Sequence, residues 1–391
     1  MKIGFSALGF GVNDNLGGSV IVASTNAIQL ASRGHEVIYF CTNKKDKSSN
    51  LFNETTIKKI KGVKVIYLKT YLFPSKGSFG LHLIPEIKKF LEKESFFDVF
   101  HLNEYRSYTS LFISKWCSRN KIPFIIQPQG TLIKGGKSLM IKWLFDHLFT
   151  ARILKKAAAI IAVTNREKLL AQELGIKESK IRVIPTGINL GDYESIPLKG
   201  AFRKKEKIED DSPIVLFVGR LDQIKGVDIL ISAFAKIEIP KCKLVIIGPN
   251  HGSSDEIAKQ IKDLRLSESV LLAGALPEYK DVLSAINDAD ILVVPSRAEA
   301  FGMVILEGSV LKKAMVISKN CNVSDFYVDA AKVVSLSIEE VANAITHLLS
   351  NPKLRLKLGS QAREVVENNF KLDKVVLQIE KLYLNIITKD K

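Results

Sequence analysis

Residues 291–308 read ILVVPSRAEAFGMVILEG, and this stretch carries a strand, a break and a helix in succession. Ile291–Val294 is a short, wholly apolar run, as expected of a strand buried on both faces. Pro295-Ser296 ends it. Gly302 then precedes an apolar segment, Met303 to Leu311, that reads as a helix. Two carboxylates bracket the turn. Glu299 lies in the loop, and Glu307 lies about a turn and a half inside the helix. At ~1.5 Å of rise per residue the two are on the order of 10 Å apart. Four apolar residues precede Glu307, so its carboxylate is headed for burial and needs partners there.

Working outward, the same alternation repeats. Strand-like runs occur at Ile214–Val218, Lys243–Ile247, Val270–Leu272 and Met315–Ile317. Helical stretches fall near Val227–Lys236, Ser254–Leu264 and Lys280–Ile286. The first half shows it too, with strands at Lys2–Leu8, Glu36–Cys41, Val63–Leu68, Phe97–Leu102, Pro123–Gln127, Ala159–Val163 and Arg182–Ile184. Helices such as Ser19–Ser32 and Ser107–Arg119 separate several of these. Apolar strands joined by helices imply parallel, doubly wound sheets. The expected organisation is a domain over 1–190, a polar linker over 191–212 and a second domain over 213–370. A final helix, about 371–389, completes the chain. Two such halves place a crevice at the carboxyl ends of their strands, where ligands of these folds bind.

The 391 residues suffice for two cores. Hydrophobic residues at 46% and charged residues at 25% exclude a disordered chain. No apolar run approaches a transmembrane span, and the Ile3–Phe10 run is too short and weakly flanked for a signal peptide. Cys41, Cys117, Cys242 and Cys321 show no CxxC spacing, so neither a zinc site nor a disulfide framework is expected. Their pattern fits a reducing, cytoplasmic setting. The net charge of +16 is uneven: residues 1–200 carry 30 Lys and Arg against 15 Asp and Glu, whereas 201–391 carry 27 against 26. The first half therefore suits an anionic partner: a membrane face, a phosphorylated substrate or a nucleic acid. No stripe interleaving aromatic and basic residues supports nucleic acid.

Four features fall where the crevice is expected. Gly17-Gly18 opens the first helix, as a backbone cradle for an anion or as plain turn geometry. Gly219-Arg220 and Lys225 follow the first strand of the second half. They suit an anion such as a departing diphosphate, or are solvated loop cations. Glu299 and Glu307 form the third. Their separation suits the two ends of an extended ligand and not the about 5–5.5 Å of a retaining glycosidase. Backbone N–H groups near Phe301-Gly302-Met303 would face an anion. The fourth is His101-Leu102-Asn103-Glu104 at a strand end, where His101 either acts as a catalytic group on a bound ligand or is a satisfied structural group.

Together these segments resemble glycosyltransferase family 4, retaining enzymes of the two-domain GT-B fold. The resemblance covers nearly the whole chain. It is most specific in Ile291–Gly308, which looks like the family's Glu–seven residues–Glu donor motif. FVGRLDQIKG (Phe217–Gly226), VIIGP (Val245–Pro249), ADILVVPS (Ala289–Ser296) and KIRVIPTGIN (Lys180–Asn189) support it. The resemblance implies that Arg220 and Lys225 hold the diphosphate, Glu299 the donor hexose and Glu307 the ribose. It places Gly219, Gly248 and Gly274 along the nucleotide, with the segment after Gly274 flanking the base. The last helix is expected to cross back onto the first domain. No cofactor and no metal are expected, and a UDP- or GDP-sugar is the expected donor.

The sequence departs from the family at two points. Asn103 stands at the second place of an H-x-H strand end. Lys319-Asn320-Cys321-Asn322-Val323-Ser324 replaces a glycine-rich stretch, on which the named sites are not expected to depend.

The acceptor is expected to be lipid-linked or a glycan, reached at an anionic membrane surface. Asn103 and the basic segment of Lys134, Lys137 and Lys142 are its candidates, since that segment mixes cations with apolar residues at near-helical spacing. The alternatives are a GT-B synthase or epimerase using a soluble sugar phosphate or nucleotide sugar, and a non-catalytic basic binding protein.

Overall fold

A computed structural model of the chain describes residues 1–11, 18–44, 50–73, 81–94, 96–132 and 151–389. Contacts divide it into one unit of Met1–Gly187 with Leu372–Lys391, and a second of Ile188–Lys371.

The first unit is built on an eight-stranded sheet. In chain order its strands are β1 (Lys2–Ser6), β2 (Glu36–Thr42), β3 (Thr56–Ile60), β4 (Val63–Leu68), β7 (Val99–Asn103), β8 (Phe124–Gln127), β9 (Ala159–Ala162) and β10 (Ile181–Val183). Across the sheet they run β10-β9-β8-β7-β1-β2-β4-β3. All pairings are parallel except the edge hairpin of β3 with β4. A separate pair, β5 (Tyr71–Phe73) and β6 (Leu81–Leu83), is antiparallel. Strand order reverses between β1 and β7, which pair from Ile3↔Val99 to Ser6↔Leu102. The crevice beyond their carboxyl ends is the natural ligand position of such a sheet.

Sequence periodicity did not register β3. Its residues, TIKKI, are mostly exposed, so the apolar signal of a core strand is missing. The turn to β4 uses Lys61 at φ 46° and Gly62 at φ 85°, the positive pair that suits a tight hairpin.

The terminal helix Leu372–Lys389 belongs to this first unit. It buries Val375, Val376, Ile379, Leu382 and Tyr383 in one core with β1, β2 and β4. Glu380 pins its outer face, accepting from Arg33 at 2.6 Å and paired with His35 at 2.7 Å.

The second unit carries six parallel strands: β11 (Ile214–Val218), β12 (Lys243–Ile247), β13 (Val270–Gly274), β14 (Ile291–Val294), β15 (Ala314–Ser318) and β16 (Lys332–Val334). Their order, β13-β12-β11-β14-β15-β16, is that of a dinucleotide-binding sheet, reversing between β11 and β14. Ile291, Leu292, Val293 and Val294 are all buried. Each contributes roughly 1.5–3 kcal/mol of apolar burial, which holds the end of β14 rigid beneath its loop.

Residues 191–212, expected to be a linker, are part of this unit's fold. Ala201–Glu206 is a helix, and the buried Arg203 donates to the carbonyls of Glu209 and Ser212 at 3.0 and 2.7 Å. The Arg203 and Gly200 amides donate to Asp288.

Candidate active site

The carboxyl ends of β11, β12 and β13 each finish in a glycine, and the three are stitched together. The Gly219 amide donates to the Ile247 carbonyl at 3.0 Å, and the Gly248 amide to the Gly274 carbonyl at 2.8 Å. A Cβ at Gly248 would overlap the carbonyl oxygen of Gly219. Only glycine permits so close a backbone approach.

The loop after β11 is folded tightly back on β14. Gly226 has φ 70°, and a Cβ there would overlap the Pro295 carbonyl oxygen. The Asp222 side chain caps the turn Gln223–Lys225, accepting from the Lys225 amide at 3.2 Å. Its other oxygen pairs with Arg220 at 3.2 Å. Arg297 and Asp228 form a two-pronged ion pair at 2.7 and 2.6 Å, a geometry that fixes both partners. The Arg297 amide donates to the Ile224 carbonyl at 2.7 Å. Loops β11–helix and β14–helix are thereby held as one piece.

On that piece Lys225 forms an ion pair with Glu299, both side chains mostly buried. Arg220, on the same loop, is half exposed and pairs with Asp222. The site thus offers two cations and a carboxylate at the carboxyl end of β11 and β14. Glu299 depends on the segment expected to be irrelevant to it. Its amide donates to the Asn320 carbonyl at 3.3 Å, and the Asn322 amide donates to the Glu299 carbonyl at 3.0 Å. The Lys319–Ser324 substitution is therefore part of the wall that carries Glu299, which corrects the sequence reading.

Gly302 caps the helix Met303–Val310 at φ 83°, so the amides beginning at Met303 have no preceding helical carbonyls. Phe301 is buried with its ring edge-on to Phe370 at 5.4 Å. Its backbone, and not its ring, is what this loop presents. Glu307 is partly buried on the helix. Its Oε1 accepts from the Tyr279 hydroxyl at 2.8 Å, and Tyr279 meets the Tyr193 hydroxyl at 2.9 Å. Burial raises the Glu307 carboxyl above the usual carboxylate range. Sequence reasoning missed both tyrosines and Asp222. Tyr279 lies in the segment assigned to the base, but nothing local shows that it turns toward Glu307.

In the first unit the sequence candidates fare differently. His101, expected to be catalytic, is fully buried on β7, with Nδ1 against the Tyr383 hydroxyl at 2.6 Å and the Phe5 ring at 4.9 Å. Burial lowers its pKa to about 3, opposed by the Gln127 side chain. It is a neutral core group tying β7 to the terminal helix, not a side chain open to a sugar. Asn103 is also buried, donating to the Ser6 carbonyl at 3.4 Å and accepting from Gln129 at 2.8 Å. Its amide is committed to the strand ends and not exposed to an acceptor.

Glu104, the residue after Asn103, adopts φ 70° and accepts from Ser19 at 2.8 Å. Burial raises its carboxyl as well. Gly18 is the first residue of the helix Gly18–Ser32. Gly17, Lys134, Lys137 and Lys142 lie outside the described residues. Among the described residues there is no group of three or more His, Cys, Asp or Glu placed to hold a metal.

Comparison with known proteins bears on the family and the fold. A family model described as Glycosyl transferases group 1 matches residues 199–365, and one described as Glycosyltransferase Family 4 matches residues 16–192. An uncharacterized glycosyltransferase of Methanocaldococcus jannaschii is 24% identical over 258 residues, 63% of each chain. A D-inositol 3-phosphate glycosyltransferase of Kineococcus radiotolerans is 31% identical over 169 residues, 40% of this chain and 38% of that protein. The chain thus spans less than two thirds of either relative. An N,N'-diacetylbacillosaminyl-diphospho-undecaprenol alpha-1,3-N-acetylgalactosaminyltransferase of Campylobacter jejuni is 28% identical, over 65% of this chain and 68% of its own. Among solved structures, sucrose-phosphate synthase from Thermosynechococcus elongatus superposes with a TM-score of 0.77 at 21% identity, over 99% of both chains. The Anabaena HepE protein in complex with UDP-glucose gives 0.78 at 18% identity, over 98% of this chain and 100% of its own. At these identities the structural likeness speaks for the fold.

Proposed function

The chain belongs to glycosyltransferase family 4, with the GT-B fold, and from that premise we propose that it is a retaining hexosyltransferase taking a UDP- or GDP-sugar. The observation that carries this reading is the Lys225–Glu299 ion pair, with Arg220 on the same loop as Lys225, in a loop pair rigidified by Gly226 and Arg297. Lys225 and Arg220 grip the diphosphate, whose negative charge grows as the sugar C1–O bond breaks. Preorganised cations at that position stabilise the transition state more than the ground state. Glu299 accepts from hydroxyls of the transferred hexose, and Glu307 accepts from the ribose. The amides from Met303 add a helix N-terminus facing the diphosphate. The acceptor oxygen bonds to C1 on the face the phosphate leaves, and the departing phosphate oxygen takes the acceptor's proton.

The acceptor on this reading is lipid-linked or a glycan, met by the basic first half at an anionic membrane surface on the cytoplasmic side. The Campylobacter relative, named for an undecaprenol-linked substrate, supports that class. No helix among the described residues is long and apolar enough to cross a membrane. The second reading, a soluble sugar-phosphate acceptor, is favoured by the same excess of positive charge. Transfer in the absence of lipid separates the two.

The donor assignment is tested by melting the purified protein with a panel of UDP-, GDP-, ADP- and dTDP-sugars. A ligand that binds only the folded state raises the melting temperature. A UDP- or GDP-sugar is expected to do so in wild type and much less in Arg220→Ala. No response to any of the panel would overturn the reading. Because Arg220 and Lys225 supply the counter-charge, EDTA is expected to leave turnover mostly intact. Loss on chelation that Mg²⁺ or Mn²⁺ restores would assign that charge to a metal.

A further inference from the structure

Glu307 is reached by a chain of two tyrosines that converge on it from distant segments. Tyr193 ends the short turn Leu190–Tyr193 and is nearly buried. Tyr279 begins the helix Tyr279–Asp288 beyond β13 and is partly buried. Their hydroxyls are 2.9 Å apart, and Tyr279 donates onward to Glu307 Oε1 at 2.8 Å. Since the Tyr279 proton points to the carboxylate, its oxygen accepts the proton of Tyr193. The chain therefore has one direction, and each bond polarises the next. Among the described residues no hydrogen bond reaches the other carboxylate oxygen, Oε2.

A glutamate's terminal torsion is soft and roughly two-fold, so an unsupported carboxylate samples many orientations. One oxygen held by a fixed phenol leaves the other aimed in a single direction. Burial strongly raises the pKa of both tyrosines, so both remain proton donors throughout the working pH range. The two hydroxyls, both in partly buried hydrogen bonds, act in series on one carboxylate oxygen, a contact that phenylalanine could not make.

We propose that Tyr279, backed by Tyr193, is a positioning residue that orients the Glu307 carboxylate toward the vicinal hydroxyls of a ribose, and so sets the preference for ribonucleotide donors. This rests on the reading that Glu307 takes the ribose.

The test compares binding of UDP and GDP with that of their 2′,3′-dideoxy analogues, by calorimetry, in wild type, Glu307→Gln, Tyr279→Phe and Tyr193→Phe. Wild type is expected to prefer the ribonucleotide. Tyr279→Phe should weaken ribonucleotide binding about tenfold, the size of one charge-assisted hydrogen bond, and leave the dideoxy analogue unchanged. Tyr193→Phe should shift the ratio the same way by less, and it carries the test if Tyr279→Phe does not fold. Equal weakening of both ligands in Tyr279→Phe marks a merely structural tyrosine and overturns the proposal. So does full ribose preference in Tyr279→Phe when Glu307→Gln has lost it, and the ribose assignment then stands. If wild type shows no ribose preference, the assignment of Glu307 and the proposal fall together.

Discussion

Arg220 and Gly226 sit six residues apart on one loop and do opposite jobs. Arg220 is half exposed, and its single described ion pair is with Asp222 at 3.2 Å. An exposed pair of this kind contributes little to stability. Arg220→Ala is therefore expected to melt within a few degrees of wild type while turnover falls roughly 10²–10³-fold. Near-normal turnover in the folded variant would remove Arg220 from the donor site. Gly226 is the converse case. Its left-handed φ of 70° and the Pro295 carbonyl leave no room for a side chain. Gly226→Ala is expected to cost about 1–3 kcal/mol of stability, read as a lower midpoint in urea. An unchanged midpoint would show that the loop relaxes freely and does not preorganise Lys225.

At the scale of elements, the terminal helix is held to β7 by His101 and Tyr383. His101 titrates near 3 in the folded protein against 6.5 as the ordinary value. Its folded pKa is depressed, so as pH falls below about 6.5 the unfolded chain takes up a proton that the folded chain refuses. Stability present above that pH is lost on acidification. Between pH 7 and 5 wild type is expected to lose about 2 kcal/mol more than His101→Gln, at ~1.4 kcal/mol per pH unit below 6.5. Denaturant titrations of both proteins at each pH give the comparison. Parallel losses would mean that the imidazole is not held neutral under the helix. The same helix explains why the strand-end histidine was readable as catalytic. Its position at the end of β7 is visible in the chain, but the tyrosine that covers it lies 282 residues away.

At the scale of the molecule, the charge imbalance belongs to residues 1–200, with 30 cations against 15 anions. Each Lys or Arg close to an anionic surface contributes about 1 kcal/mol, fading within a Debye length. Wild type is expected to sediment with vesicles in proportion to their anionic lipid content. Changing Lys134, Lys137 and Lys142 together to Glu should release it. If wild type ignores anionic lipid, or the triple variant binds equally, this segment is not the contact. A phosphorylated soluble acceptor would then account for the charge.

The local chemistry of Ile291–Gly308 was enough to place a buried strand, a break carrying Glu299 and a helix carrying Glu307. Those features depend on composition and spacing within one turn of chain, and β14 and Met303–Val310 follow them closely. The parallel order of the sheets follows for the same reason, since strands apolar on both faces and separated by helices have few other ways to bury themselves. Only the tertiary structure decided what surrounds each side chain. Glu299 owes its backbone pairing to Asn320 and Asn322, Glu307 its hydroxyl partner to Tyr279, and Asn103 its burial to Ser6 and Gln129. These neighbours are brought together by assembly of the sheets and their loops and leave no periodic trace in the chain. A residue's type and strand-end position are local properties, whereas its exposure and protonation are set by whichever distant segment packs upon it.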